Sequence, residues 1–220
     1  MDAPAISLAS EAPINWDQWH VVYGDRHKVT TVDGRVVVGL QFYKKGNRLA
    51  LEMTQAELDK AGDINASSQQ KRRNDEWGED VIQIGANSEN QLMTTIVPTL
   101  CMVTGVQLWL EGNKLMVLLE YVPFDVTTQT ADFKKRAWTR AADATDSSAK
   151  AKWISSDPDG KVAPDSHRGR VGLQYNVLPN PLSPITGVML DFNPGAGGGF
   201  MCVRGTTDFY GPDKATPKTA

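Results

Sequence analysis

Two short basic runs are the first candidates for chemistry in this sequence. Lys71, Arg72 and Arg73 stand together just ahead of Trp77, and His167-Arg168-Gly169-Arg170 forms the second run. Cationic side chains beside an indole are the groups that hold a phosphate backbone and stack a base. Lys71, Arg72, Arg73, Trp77, Arg168 and Arg170 are therefore candidate single-strand nucleic-acid contacts. Asp75, Glu76, Glu79 and Asp80 flank the first run and cancel much of its charge. That turns the same residues toward a solvated loop or a subunit contact. A third set gathers carboxylates, Asp157-Pro158-Asp159-Gly160 with Asp165 nearby. Calcium sites use such oxygens, but the EF-hand spacing and its closing glutamate are missing. The set reads as an Asp-Gly turn, with a ligand-binding turn as the alternative.

The remaining reactive residues form no set. Three histidines are present, His20, His27 and His167. Asp25-Arg26-His27 with His20 could ligate a metal, but the seven-residue spacing of the two histidines fits neither a helical nor a tight-turn site, so no metal or other cofactor is expected. Cys101 and Cys202 lie in apolar, strand-like runs, where a buried free thiol is the ordinary state. Neither has a histidine close in sequence to activate it. The glycines of Gly195-Ala-Gly197-Gly-Gly199 precede a strand-like run, Phe200-Met-Cys-Val203, and not the Gly-Lys-Ser/Thr or helix that a phosphate-binding loop requires. No nucleophile with its base emerges, and the chain is not expected to be an enzyme.

A net charge of −3 over 220 residues points to neither nucleic acid nor an anionic membrane as a bulk partner. No apolar run approaches the ~20 residues of a membrane span. The start, Met1-Asp-Ala-Pro-Ala-Ile-Ser-Leu, has no basic n-region or apolar core of a signal peptide, so synthesis in a reducing cytoplasm is expected. With 40% apolar and 22% charged residues the chain has the composition of a folded domain.

The element that must organise everything else is Val103–Val122, a long hairpin turning at Gly112-Asn113. Counting outward pairs Glu111 with Lys114, Leu110 with Leu115, Leu108 with Val117 and Val106 with Leu119, so six apolar residues share one face. Trp109, Met116 and Leu118 make the other face apolar too, which places the hairpin inside a sheet. A second hairpin runs from Val36 to Met53. A Gly46-Asn47 turn would set Lys45 against Arg48, like charges face to face; hydrophobic matching favours Tyr43 on Arg48, Phe42 on Leu49 and Leu40 on Leu51. Thr54-Gln-Ala-Glu57 reads as a capping box opening a short helix that Gly62 stops. Residues 63–80 read as a long polar loop, and 131–142 as a second short helix carrying Phe133, Ala137 and Trp138 toward the body. Further strands are expected near Trp16–Tyr23, Thr30–Val38, Val81–Ile84, Leu92–Val97, Val171–Val177, Ile185–Phe192 and Phe200–Phe209.

Many strands that do not alternate with helices imply an all-β fold, an antiparallel β-sandwich of jelly-roll-like plan with one or two short helices in its connections. Residues 1–15 form an extended arm, 16–210 a single sandwich domain, and 211–220 a loose tail. This layout resembles the viral and phage coat proteins built on a jelly roll, which implies a capsid, coat or decoration subunit that self-assembles through arms and loops in a virion. Its expected partners are copies of itself or other virion proteins. Coat proteins of this kind often carry an Arg/Lys-rich arm, whereas residues 1–15 contain no Lys or Arg, so nucleic acid is not expected on the arm. Two other readings compete. One is a carbohydrate-binding β-sandwich using tryptophans and the Asp157/Asp159/Asp165 turn. The other is single-strand binding through Lys71–Arg73 and Trp77.

Overall fold

The computed structural model describes residues 14–15, 22–45, 48–74, 81–84, 89–152, 170–171, 183–193 and 200–206. In chain order the strands are β1 (Ile14–Asn15), β2 (Val22–Asp25), β3 (Val29–Thr30), β4 (Arg35–Lys45), β5 (Arg48–Leu58), β6 (Ile64–Arg73), β7 (Val81–Ile84), β8 (Glu89–Ile96), β9 (Cys101–Glu111) and β10 (Lys114–Asp125). They continue with β11 (Thr130–Ala131), β12 (Ala137–Trp138), β13 (Thr145–Lys152), β14 (Arg170–Val171), β15 (Gly187–Asn193) and β16 (Phe200–Thr206). An 11-stranded sheet has the order β1-β14-β16-β15-β8-β10-β9-β3, with β11 and β12 added on β10 and β13 on β8. A 5-stranded sheet has the order β4-β5-β2-β7, with β6 also on β5. Both sheets are mixed, which corrects the purely antiparallel expectation: β2–β5, β8–β10 and β14–β16 pair in parallel.

The central hairpin, β9–β10, has the expected register. Glu111 faces Lys114, Leu110 faces Leu115, Leu108 faces Val117 and Val106 faces Leu119. Gly112 supplies the turn at φ +60. The hairpin lies inside its sheet, β8 beside β10 and β3 beside β9. Its inner row packs against Leu40, Phe42, Leu49, Leu51 and Met53 of β4 and β5, so the two sheets bury one shared core in the manner of a sandwich.

Each long hairpin contains a bulge. Val37 faces Gln55 and Gly39 faces Thr54, leaving Val38 over; Glu120 faces Gly105 and Tyr121 faces Val103, leaving Thr104 over. An extra residue exchanges the faces beyond it. Val37, Leu40 and Phe42 accordingly enter the shared core, while Val36 and Val38 join Met102, Val122 and Phe124 in a second cluster. A third cluster, Met93, Met116 and Leu118, lies on the outer face of the larger sheet under Trp109, Trp138, Ala141 and Ala144.

The first long hairpin adopts the disfavoured register. Lys45 faces Arg48, Phe42 faces Leu51 and Leu40 faces Met53. The two registers differ by two residues, so both keep the same apolar face and hydrophobic matching cannot separate them. A buried polar pair does. Gln41 faces Glu52, and the Gln41 amide donates to the Glu52 carboxylate. The slipped register would part those two buried groups.

Neither short helix exists among the described residues; the one helical turn there is a 3-10 turn at Ala141–Asp143. Thr54–Leu58 continues β5 because Val37, Val36 and Arg35 supply partners for Gln55, Ala56 and Glu57. The Glu57 carboxylate takes the Arg35 guanidinium at 2.6 Å in place of a helix cap. Gly62, at φ +76, instead serves the tight turn into β6, where Asp59 Oδ1 accepts the amides of Ala61 and Asp63. In the 131–142 segment, Phe133 packs on the second cluster and Trp138 on the third. One helical face cannot serve both, so the chain wraps β10 as β11 and β12. The expected 63–80 loop is a strand as far as Arg73. Of the N-terminal arm only Ile14–Asn15 is described, paired with Val171 and Arg170; the C-terminal tail and most of the expected 171–177 strand lie outside the described residues.

Candidate functional site

The basic run Lys71–Arg73 ends β6, on the border of the smaller sheet. Its polarity follows from that place, since β6 is exposed along nearly its whole length. Ile64 and Asn65 pair with Leu58 and Glu57, and Gln70 resumes on Gln55, so Ala66–Gln69 bulge out opposite Ala56. Side chains hold the bulge. Asn65 Oδ1 accepts the Ser67 amide at 3.2 Å and hydroxyl at 2.7 Å, while Arg35 Nη1 donates to the Ser68 carbonyl at 2.7 Å. Ser68 Oγ accepts the Glu57 amide at 2.8 Å. A bulged, charged edge resists indiscriminate strand pairing.

The three cations have different settings. Lys71 Nζ lies 3.0 Å from Glu52 Oε1, the buried carboxylate that Gln41 also holds. The Arg73 guanidinium sits 5.4 Å from the Tyr43 ring centroid, and the Tyr43 hydroxyl donates to the Asn74 carbonyl at 2.8 Å. Arg72, opposite Met53, is exposed. Trp77, Arg168, Asp157, Asp159, Asp165, His20 and His167 lie outside the described residues. Arg170 stands in β14 of the other sheet, its backbone opposite Asn15 and Phe200. Lys71–Arg73 and Arg170 therefore stand in different sheets.

Asp25 and His27, neighbours in sequence, do meet, and so do groups far apart in the chain. Asp25 is buried in β2; its carboxylate contacts His27 Nδ1 and accepts the His27 amide at 2.9 Å. A carboxylate orienting an imidazole is half of an acid–base pair or of a metal site. Among the described residues, no three of His, Cys, Asp and Glu come together. The Arg26 guanidinium stacks 3.7 Å above the Trp109 ring centroid, and Lys28 Nζ lies 4.8 Å from that of Trp138. Beside the second bulge, Glu120 Oε2 accepts the Thr104 hydroxyl at 2.9 Å and Arg136 Nη1 at 2.6 Å, and Arg136 Nη2 reaches Asp33 at 2.8 Å. Burial alone would lower the Arg136 pKa; its hydrogen bonds to Glu120 and Asp33 outweigh that and raise it. Burial pushes the Cys101 thiol up, making it a poor thiolate source. Alternation could have placed Trp109 outward, but nothing local announced Arg26 as its cover.

The sequence matches no protein-family model and no curated protein.

Proposed function

We propose that this chain is a structural subunit of a virus or phage particle, a capsid, coat or decoration protein of jelly-roll-like plan that self-assembles through its arms and loops. The reading is supported by the place of Ile14–Asn15 in the larger sheet. Ile14–Asn15 is the outermost strand at one side of the larger sheet, paired only with β14 among the described strands. Ile14–Asn15 thus stands at a sheet border among the described strands, a position at which one chain can add a strand to another. The buried charges support the same view. Glu120, Glu52 and Asp25 each bind a group from their own or a neighbouring segment, which stiffens the scaffold that presents the contacts.

The test is the size of the purified full-length chain across a wide concentration range by light scattering, with electron microscopy of the same samples. Defined oligomers or shells are expected, and they should be lost when residues 1–13 are removed. A strict monomer at every concentration overturns the proposal.

A further inference from the structure

β6 pairs with β5 on one side, and no described strand lies on its other side. Its bulge at Ala66–Gln69 is already held by Asn65, Ser68 and Arg35. Past the bulge, Gln70–Arg73 run in regular register against Gln55, Thr54, Met53 and Glu52. In such a run every second residue turns its amide and carbonyl away from the paired strand. An exposed border of that kind is a template for a further strand.

The border selects by charge. Ile64–Arg73 contains no carboxylate and ends in Lys71, Arg72 and Arg73, all exposed. Alternation sends Lys71 and Arg73 to one face and Arg72 to the other, so cations flank an added strand on both sides. Glu52 neutralises one of the three, Lys71, at 3.0 Å. The acids that follow, Asp75, Glu76, Glu79 and Asp80, lie outside the described residues. A basic strand is repelled at this border and an acidic one is drawn to it. The chain itself contains an acidic candidate. Residues 1–13 carry Asp2 and Glu11 and no Lys or Arg. Between Pro4 and Pro13, every residue of 5–12 keeps the amide that strand pairing uses. That run is long enough to face Gln70–Arg73 in full.

We infer that the N-terminal segment of a second copy, within residues 1–13, adds as a strand to the open border of β6 at Gln70–Arg73, with Glu11 set among the three cations. Main-chain hydrogen bonds supply the attachment, and the charges supply the choice of partner. A second copy fits better than the same chain, since Ile14–Asn15 is held in the larger sheet and β6 belongs to the smaller one. The inference rests on the particle-subunit reading and names the surface that its assembling segment meets.

The experiment is light scattering of the full-length chain as wild type, Arg72→Glu, Glu11→Lys and the double variant, with fluorescence anisotropy of a labelled synthetic peptide of residues 1–13. Wild type should form oligomers. Each single variant should weaken them about fivefold, the worth of one good exposed charge pair. The double variant should regain most of that loss, because the reversed pair attracts again. Arg72 is exposed, so Arg72→Glu should melt close to wild type and its weaker assembly cannot be ascribed to unfolding. Excess peptide should compete with wild-type assembly, and a peptide with Asp2→Lys and Glu11→Lys should not. A double variant no better than the singles overturns the charge match. Oligomers that neither the single variants nor the peptide weaken overturn this inference and leave the particle subunit standing. A strict monomer that binds the peptide with salt-sensitive affinity keeps the border site and sinks the particle subunit. A strict monomer that does not bind it overturns both.

Discussion

Arg136 reaches Glu120 at 2.6 Å with one guanidinium nitrogen and Asp33 at 2.8 Å with the other. Three segments meet there: the turn before β4, the bulged end of β9–β10, and the chain that wraps β10. Glu120 is 7% exposed, so without Arg136 its carboxylate keeps only the Thr104 hydroxyl among its described partners. Breaking a fully buried pair costs about 3–5 kcal/mol. The Arg136 side chain is 23% exposed, so Arg136→Met should cost less, about 2–3 kcal/mol, since part of the pair is already screened by water. Urea titration should show a lower midpoint at unchanged slope. Adding Glu120→Gln should return part of the loss by removing the stranded charge. A loss under about 0.5 kcal/mol for Arg136→Met, the level of an idle surface pair, would contradict this account.

Gly62 makes the β5–β6 turn possible. At φ +76, a Cβ there would stand 2.9 Å from Phe124 Cζ and 3.0 Å from the Gln129 carbonyl oxygen. The ring can tilt. Gln129 cannot retreat easily, because it is itself held at φ 55. Gly62→Ala should therefore destabilise by about 2 kcal/mol or more, adding left-handed strain to overpacking. A midpoint equal to wild type would show that the turn relaxes.

The strand scaffold was legible in the sequence wherever one periodicity had one interpretation. Val103–Val122 alternates on both faces around Gly112-Asn113, and its register followed directly. Legibility failed where a local signal had a distant competitor. Thr54 and Glu57 carry a sound capping box, but Arg35–Val37 offer partners that a single segment cannot announce. Hydrophobic matching parts Lys45 from Arg48, while the choice between registers lies with Gln41 and Glu52, which alternation alone does not link. The Ile64–Arg73 strand is hidden in the sequence because an exposed border strand has no apolar face to display. As for the basic site, Lys71–Arg73 were visible in sequence.

Acid should weaken the turn after β10. Asp125 Oδ1 accepts the Thr127 amide at 2.8 Å and the Thr128 amide at 3.3 Å, and these bonds hold its carboxyl below the ordinary aspartate range. A depressed folded-state pKa stabilises above the unfolded value, and that contribution fades as pH falls through the folded one. Asp125→Asn keeps an acceptor but loses the charge. Its melting point should lie below wild type at neutral pH and converge with it in acid, below the ordinary aspartate value. Thermal melts of both proteins across that range check the convergence. A gap that stayed constant with pH would assign the effect to shape and not to charge.

Gly24 sets how closely β2 approaches the larger sheet. A Cβ there would lie 2.7 Å from Ile82 Cγ1, 2.9 Å from Ile82 Cδ1 and 2.9 Å from Leu108 Cδ2. Ile82 and Leu108 both belong to the shared core, so neither can swing toward water. Gly24→Ala should accordingly cost about 1–3 kcal/mol as an overpacked core does. The contact predicts its own remedy. Ile82→Val removes Cδ1, and alone it should cost about 0.5–1.5 kcal/mol for the lost methyl group. In the Gly24→Ala background it should cost less, because it removes one of the three clashes while the nearer Ile82 Cγ1 contact remains. Such non-additivity between touching residues is measured by a double-mutant cycle in urea. Strict additivity would mean that β2 shifts as a body, and that the sheet spacing is set elsewhere.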